Sequence, residues 1–431
     1  MEPLTIGIIG ATCLVALAVL GVRIAFAAAL VGTVGLMVML PSPMAGLMTA
    51  GTVPYDKSMK YTLSVLPMFI LIGYLAYYAR MTETSFEAAR RWFGWLPGGL
   101  AIGTIFAVAA FSAVSGASTA AAAVFSRVAI PEMLKAKYDR RLAAGVVAAG
   151  STLDSLIPPS ALLVIYGIIV EVSIGKLLVA GFVPGFISAL VYSAIVFIRC
   201  SRNPAIGPRI TGYTWPQRFQ SLPGTAPIWI VIGLIFTSML WGWATPTEAG
   251  ALGAFAVFCF ALAYGMKWND LKEALLDAAK LTVMIFTIIW GVLIFVRFLG
   301  FAGLPDAFAS WVVDLALPPV MVMIAIYLVY FVLGMFMDAI GMMLLTLPVF
   351  YPVVVALGYD PIWFGIMVVK LCGIGLLTPP VGLACYVVNG VRPDIPLGDV
   401  FRGIWPFVLA DILTVALLTA YPQLVTFIVA D

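Results

Sequence analysis

The sequence predicts an all-α polytopic membrane protein made of two five-span halves that repeat each other in inverted orientation. Three observations carry that expectation: a composition poor in charge, apolar stretches of spanning length along the whole chain, and a self-similarity at an offset of 221 residues. Of the 431 residues, 63% are hydrophobic and 10% charged, with a mean hydropathy of +1.11. Soluble domains carry about 25% charged residues, so lipid is the solvent this composition suits.

A spanning helix needs roughly 20 mostly apolar residues, because the bilayer core offers the backbone no hydrogen-bonding partner. Such stretches fall at about 4–22, 24–40, 61–79, 142–170, 177–198, 226–243, 249–265, 281–299, 362–388 and 400–425. The first is followed at once by the second, so it reads as a retained span and not as a cleaved leader. Two further apolar regions, about 97–130 and 319–356, are rich in Gly, Ala, Ser or Met. They break near their middles, at Ser115-Gly116 and between Gly334 and Gly341. Each reads either as two ordinary spans or as a hairpin that enters the membrane and returns. Residues 82–94 and 268–280 mix acidic with basic side chains and are expected to lie at the membrane interface.

Charge selects the hairpin reading. The segment 199–218 carries Arg199, Arg202, Arg209 and Arg218 and no acidic residue, which makes it cytoplasmic under the positive-inside rule. Counting outward from it, with both broken regions as hairpins, gives ten spans and puts both termini outside. Arg23 and the segments 80–91, 127–141, 267–280 and 392–402 then join it inside, which accounts for 18 of the 23 basic residues. Lys57, Lys60 and Lys176 fall outside, and Arg297 and Lys370 fall within spans.

The repeat is visible in the punctuation. At an offset of 221, Pro97 meets Pro318, Pro131 meets Pro352, and Pro158-Pro159 meets Pro379-Pro380. Chance would supply about one such proline match. Tyr138-Asp139 likewise meets Tyr359-Asp360, Gly21 meets Gly242, and Gly32 meets Gly253. The halves are 1–220 and 221–431. Five spans is an odd number, so the second half must lie upside down relative to the first, as in many secondary transporters. A proline inside a helix removes a donor and clashes with the preceding turn, costing about 3 kcal/mol or more. Both halves nonetheless place a Pro-Pro pair near the middle of a long apolar stretch, and helices broken there build ion and anion sites.

Two clusters follow from these breaks. Residues 111–119 (FSAVSGAST) pair with 149–160 (AGSTLDSLIPPS), and residues 333–341 (LGMFMDAIG) with 373–382 (GIGLLTPPVG). Neutral hydroxyls and carbonyls suit a weakly held hard cation such as Na⁺. Ser112, Ser115 and Ser118 could equally serve close helix packing. Asp154, Asp338 and Lys370 are the sharpest single residues, since a mid-span charge costs about 2.5–3.5 kcal/mol and so needs a cavity or a partner. Asp338 either ligates a cation or caps a broken helix. Lys370 is a possible charge partner, expected to neutralise an acidic neighbour or to meet an anionic substrate, with the ion pair favoured. Glu248 in ATPTEAGALGA reads as part of a helix-capping signal. The five cysteines show no CxxC spacing and read as small core residues. The chain has no histidine, so ion coupling must use carboxylates, hydroxyls or carbonyls.

These same residues carry a family resemblance over essentially the whole chain. SGAS at 115–118, IPEM at 130–133, LIPPS at 156–160, GFVPG at 181–185, ATPTEAGALGA at 244–254, FMD at 336–338 and LLTPPVGL at 376–383 resemble the large membrane subunit of TRAP transporters, the tripartite ATP-independent periplasmic transporters. The resemblance implies an elevator-type, Na⁺-coupled importer of a small organic acid, such as a C4-dicarboxylate or sialic acid. It implies two partners, a periplasmic substrate-binding protein and a small four-span membrane subunit, and a place in the bacterial inner membrane with both termini periplasmic. It implies no enzymatic activity, no organic cofactor and no nucleic acid. By resemblance, one Na⁺ site uses Ser112, Ser115, Asp154, Ile157 and Pro158. A second uses Gly334, Gly375, Thr378 and Val381, with substrate near the hairpin tips, around Ser118, Asp338, Pro159, Pro379 and Pro380. The chain departs from the family pattern in having alanines at 120–123, Cys372-Gly373 before TPP, and Asp154 where a glycine is common. Two other readings stay open: a stand-alone elevator symporter, and a membrane scaffold or enzyme.

Overall fold

In a computed structural model of the chain, residues 2–79, 81–115, 118–210 and 212–429 are described, and the side chains at 19, 57, 82, 83, 112–115 and 120 lie outside that description. The described residues form helices and no strand. The first half runs through Pro3–Val19 (α1), Ile24–Met39 (α2), Pro43–Ser58 (α3), Val65–Tyr78 (α4) and Met81–Phe93 (α5) to a pair, Gly99–Ser115 (α6) and Ser118–Lys135 (α7). Arg140–Ser151 (α8) and Ala161–Val170 (α9) flank the first Pro-Pro pair, and Ile174–Arg202 (α10) closes the half. A short helix, Trp215–Phe219 (α11), precedes Ala226–Leu240 (α12), Pro246–Ala263 (α13), Trp268–Ala302 (α14) and Leu304–Asp314 (α15). The second pair is Pro319–Gly334 (α16) and Ala339–Ala356 (α17), followed by Pro361–Leu377 (α18), Leu383–Val391 (α19), Leu397–Ala420 (α20) and Gln423–Thr426 (α21).

One register runs through both halves. Helices α7 and α17 lie 221 residues apart at both ends, α8 and α18 start 221 apart, and the Pro-Pro bonds, both cis, keep the same offset. The local chemistry repeats too. Lys137 (φ 62°) and Gly358 (φ 81°) turn the chain out of α7 and α17 in the left-handed region, where glycine lacks the Cβ penalty. Two residues on, Asp139 accepts from the backbone N–H groups of Arg141 and Leu142 (2.8 and 3.0 Å), and Asp360 accepts from that of Trp363 (2.8 Å). Each carboxylate thus satisfies donors that the first turn of a helix leaves orphaned. The TPTE signal forms a capping box: Thr245 N–H donates to Glu248 Oε2 (2.8 Å), and Glu248 N–H to Thr245 Oγ1 (3.4 Å).

Among the described residues, seven helical stretches are long and apolar enough to cross a membrane, the longest being Trp268–Ala302 with 35 residues. Shorter apolar helices, among them α2, α9, α16 and α18, make up the rest, and a Pro-Pro segment cuts short the runs that hold α9 and α18. The chain is a multi-pass membrane protein. Two details differ from the sequence reading. Residues 268–280 are the opening turns of α14 and not a separate interfacial piece, whereas Met81–Phe93 stands alone as α5, in register with α15. Residues 43–58 form α3, which carries Pro54, Asp56 and Lys57 and so gave no apolar run to read.

Packing separates an inner group from an outer one. Every residue of 142–151 in α8 and of 363–377 in α18 is buried, so these two helices sit at the centre. Around them pack α7, α10, α16, α17, α19 and α20. At the first turns of α8 and α20, Arg140 and Arg141 hold Asp399 at 2.6 and 2.8 Å. The outer group joins the two halves, α2 lying along α14 and α4 against α13 and α14. A Cβ on Gly32 would lie 2.7 Å from the Phe295 backbone nitrogen, so only glycine admits this close crossing. The outward face of α2 (Phe26, Leu30, Val34, Val38) is exposed and apolar, as a lipid-facing surface requires.

Candidate ion and substrate site

Helix α8 gives way to a 3-10 turn, Thr152–Ser155, before the first Pro-Pro pair. Asp154 sits in that turn, 3% exposed, and its Oδ1 accepts from Ser118 Oγ at 2.6 Å. Ser118 opens α7, so this bond ties the turn of the α6/α7 pair to the break after α8. Hydroxyls line the rest of the turn. Ser155 donates to the Thr152 carbonyl (2.6 Å), and Ser160 to that of Ser155 (2.5 Å) while capping α9. The Ile157 N–H donates to the Leu153 carbonyl at 2.9 Å, and Pro158 and Pro159 are buried beside it. Ser112 and Ser115 fall on the last turns of α6, and their side chains lie outside the described part of the chain.

The second break is built mainly from backbone. Gly334 ends α16 and Gly375 lies in the last turn of α18; a Cβ on Gly334 would be 2.7 Å from the Gly375 Cα. Val381 N–H donates to the Met335 carbonyl at 3.3 Å, a second link between the α16/α17 turn and the break. Thr378 is buried and its hydroxyl donates to the Ile374 carbonyl at 2.7 Å. Pro379 is half-buried, while Pro380 and Val381 are exposed. Asp338 is exposed and caps α17, accepting from Gly341 N–H at 2.9 Å. Of the two roles open to it, the structure displays the cap. Each break is thus tied to the turn of the helix pair in its own half, by a carboxylate–hydroxyl bond in the first and by glycine contact and one backbone bond in the second. The two breaks are also joined, since Gly373 of α18 lies against Ser155 and Thr152.

Lys370 does not stand alone. Its Nζ lies 2.5 Å from Asp411 Oδ1 and 3.0 Å from Ser188 Oγ, and the Tyr192 hydroxyl donates to the Asp411 carboxylate at 2.7 Å. Side-chain exposure is 5% for Lys370 and 1% for Asp411, so protein encloses the pair. It clamps α10, α18 and α20 together. Sequence reasoning missed Asp411, Tyr192 and Ser188. Asp411 carried the same signal as Asp154, a lone carboxylate in an apolar run, but its partner is 41 residues away. At the 221 offset Lys370 and Asp411 fall on Ala149 and Leu190, so the ion pair has no counterpart in the first half, which contributes Ser188 and Tyr192 to it instead.

Both breaks present oxygen atoms from carboxylate, hydroxyl and backbone groups, the donor set a hard cation prefers. Comparison with known proteins identifies the family. Residues 11–424 match the model of the family described as tripartite ATP-independent periplasmic transporter, DctM component. The chain is 34% identical over 373 residues to the C4-dicarboxylate TRAP transporter large permease protein DctM of Pseudomonas aeruginosa, covering 85% of this chain and 86% of that one. It is 32% identical over 370 residues to the sialic acid TRAP transporter large permease protein SiaM of Vibrio cholerae, covering 84% and 85%. In fold it is similar to the Alcanivorax borkumensis YdaH transporter, with a TM-score of 0.60 at 15% identity over 99% of this chain and 100% of that one. The chain therefore belongs to the DctM family, the large permease component of the tripartite ATP-independent periplasmic transporters.

Proposed function

We propose that this permease imports a small organic acid, a C4-dicarboxylate, sialic acid or a similar carboxylate, in symport with Na⁺. The single observation that carries the reading is the Pro-Pro break that recurs at one register in both halves, each time tied to the turn of a paired helix. One Na⁺ is held at the first break by Ser112, Ser115, Asp154 and the backbone at Ile157 and Pro158. A second is held by Gly334, Gly375, Thr378 and Val381. The carboxylate substrate lies between the two turns, near Ser118, Asp338, Pro159, Pro379 and Pro380.

The two halves, 1–220 and 221–431, are an inverted repeat of five spans each, with α6/α7 and α16/α17 as re-entrant hairpins. The inner group moves as an elevator against the outer helices. The packing of α8 and α18 within a surround distinct from the α2–α14 crossing supports that division. Coupling then has a physical basis. An unneutralised carboxylate carried through mid-membrane costs about 2.5–3.5 kcal/mol, so bound Na⁺ at Asp154 lowers the barrier to movement. The partners are a periplasmic substrate-binding protein and a small four-span membrane subunit, as the tripartite description of the family supports. The permease lies in the bacterial inner membrane, a reading the periplasmic family description supports, and the distribution of basic residues supports periplasmic termini.

Uptake of labelled C4-dicarboxylate and sialic acid into proteoliposomes tests this directly, with and without an inward Na⁺ gradient, the small subunit and the binding protein. Uptake that needs all three supports the reading. Uptake by this chain alone contradicts the tripartite assignment, and uptake indifferent to Na⁺ contradicts the symport.

A further inference from the structure

A lateral cavity of about 430 Å³ opens between α5, α6, α10 and α12, walled by Phe106, Ile157, Phe182, Phe186, Trp229 and Ile232 among others. Its wall offers almost nothing to a polar ligand. Ser85 and Thr225 reach it, but their hydroxyls donate to the carbonyls of Met81 (3.1 Å) and Leu222 (2.8 Å). Trp92 Nε1 donates to the Arg218 carbonyl at 3.2 Å. A carboxylate placed here would lose its hydration with no donor to replace it. Hydrocarbon meets no such penalty.

A neighbouring hollow adds a single cation to a largely aromatic wall. This second hollow, lined by Trp92, Phe93, Trp95, Leu96, Trp215 and Arg218, shares Trp92 and Phe93 with the first. The Arg218 guanidinium lies 4.8 Å over the Trp215 ring, and its Nε is buried with no hydrogen-bond partner among the described residues. The segment leading to it, 199–218, holds four arginines and no acid. Tryptophans beside a cation are the side chains that settle at the headgroup level of a bilayer.

We infer that an anionic phospholipid occupies this site, one acyl chain filling the apolar cavity and the phosphate held by Arg218. The Arg218 guanidinium supplies the positive charge for the phosphate, and the greasy interior selects against water-soluble anions. The same occupant touches Ile157, next to the first Pro-Pro break, so a lipid reports directly on the candidate ion site.

The test uses the full chain purified together with its small subunit. Native mass spectrometry with added phosphatidylglycerol or phosphatidylcholine should show phosphatidylglycerol retained in preference. Arg218→Gln should weaken phosphatidylglycerol binding by about tenfold or more, the loss of one charge-assisted bond, and leave phosphatidylcholine unchanged. Ala89→Phe, which fills the cavity, should reduce retention of both. A photo-crosslinking residue at Phe186 reads the occupant of the unperturbed cavity by adduct mass, and a phospholipid adduct is expected. Equal retention of both lipids in all variants would reduce the site to ordinary annular lipid and overturn the inference. A crosslink to the small subunit would overturn it as well, assigning the cavity to a protein helix. Neither outcome depends on Na⁺ or on substrate transport.

Discussion

Lys370→Met is the perturbation whose cost can be worked out most fully. It removes the 2.5 Å partner of Asp411 and leaves a carboxylate that is 1% exposed. Breaking a buried pair from one side costs about 3–5 kcal/mol, because the surviving charge stays desolvated. That corresponds to about two to four decades in the ratio of folded to unfolded protein. Asp411→Leu should cost a similar amount, stranding the Lys370 ammonium and the Tyr192 hydroxyl. The double variant Lys370→Met/Asp411→Leu removes both charges and should recover most of the loss. It would retain only about 1–3 kcal/mol for the orphaned Tyr192 hydroxyl, which a further Tyr192→Phe should relieve. Unfolding of the purified protein in mixed micelles, arranged as a double-mutant cycle, measures the coupling. Single variants within about 0.5 kcal/mol of the parent, or two single losses that simply add, would refute the clamp. A stable Lys370→Met protein with a raised KM for uptake would instead give the lysine to the substrate.

Two further outcomes follow from local geometry. Gly375→Ala would drive a Cβ to 2.6 Å from the Gly334 Cα, so it should destabilise by about 1–3 kcal/mol and depress uptake, as read by thermal unfolding and initial rates. Asp338→Ala should cost about 1 kcal/mol through the lost α17 cap and Asp338→Asn much less, whereas equal losses in thermal unfolding would contradict the capping role.

What could be read in the sequence was what depends on a few neighbouring residues. The Pro-Pro pairs interrupt their helices because proline cannot donate, wherever the rest of the chain goes. Tyr138-Asp139 and Tyr359-Asp360 mark helix starts because an aspartate reaches its own first turn. The interruption between α16 and α17 was visible in the sequence as the stretch from Gly334 to Gly341. Hidden features were those fixed by distant partners. Asp411 is one carboxylate among others until Lys370 and Tyr192 converge on it from α18 and α10. The bond from Ser118 to Asp154 joins two parts of the first cluster, but neither residue reveals the other by spacing. Asp399 likewise gains Arg140 and Arg141 only through the α8–α20 contact.

The central claim is that the paired helix breaks bind Na⁺, and cation-dependent stabilisation of the purified permease tests it most directly. Ligand that binds only the folded state raises the unfolding midpoint in proportion to RT ln(1 + [L]/Kd). The midpoint should rise with NaCl but not with KCl or choline chloride at equal ionic strength. Asp154→Asn, which removes the one buried carboxylate at the first break, should shift the response to higher Na⁺ by about tenfold or more. A rise of equal size with K⁺, or an unchanged Na⁺ response in Asp154→Asn, would contradict the claim.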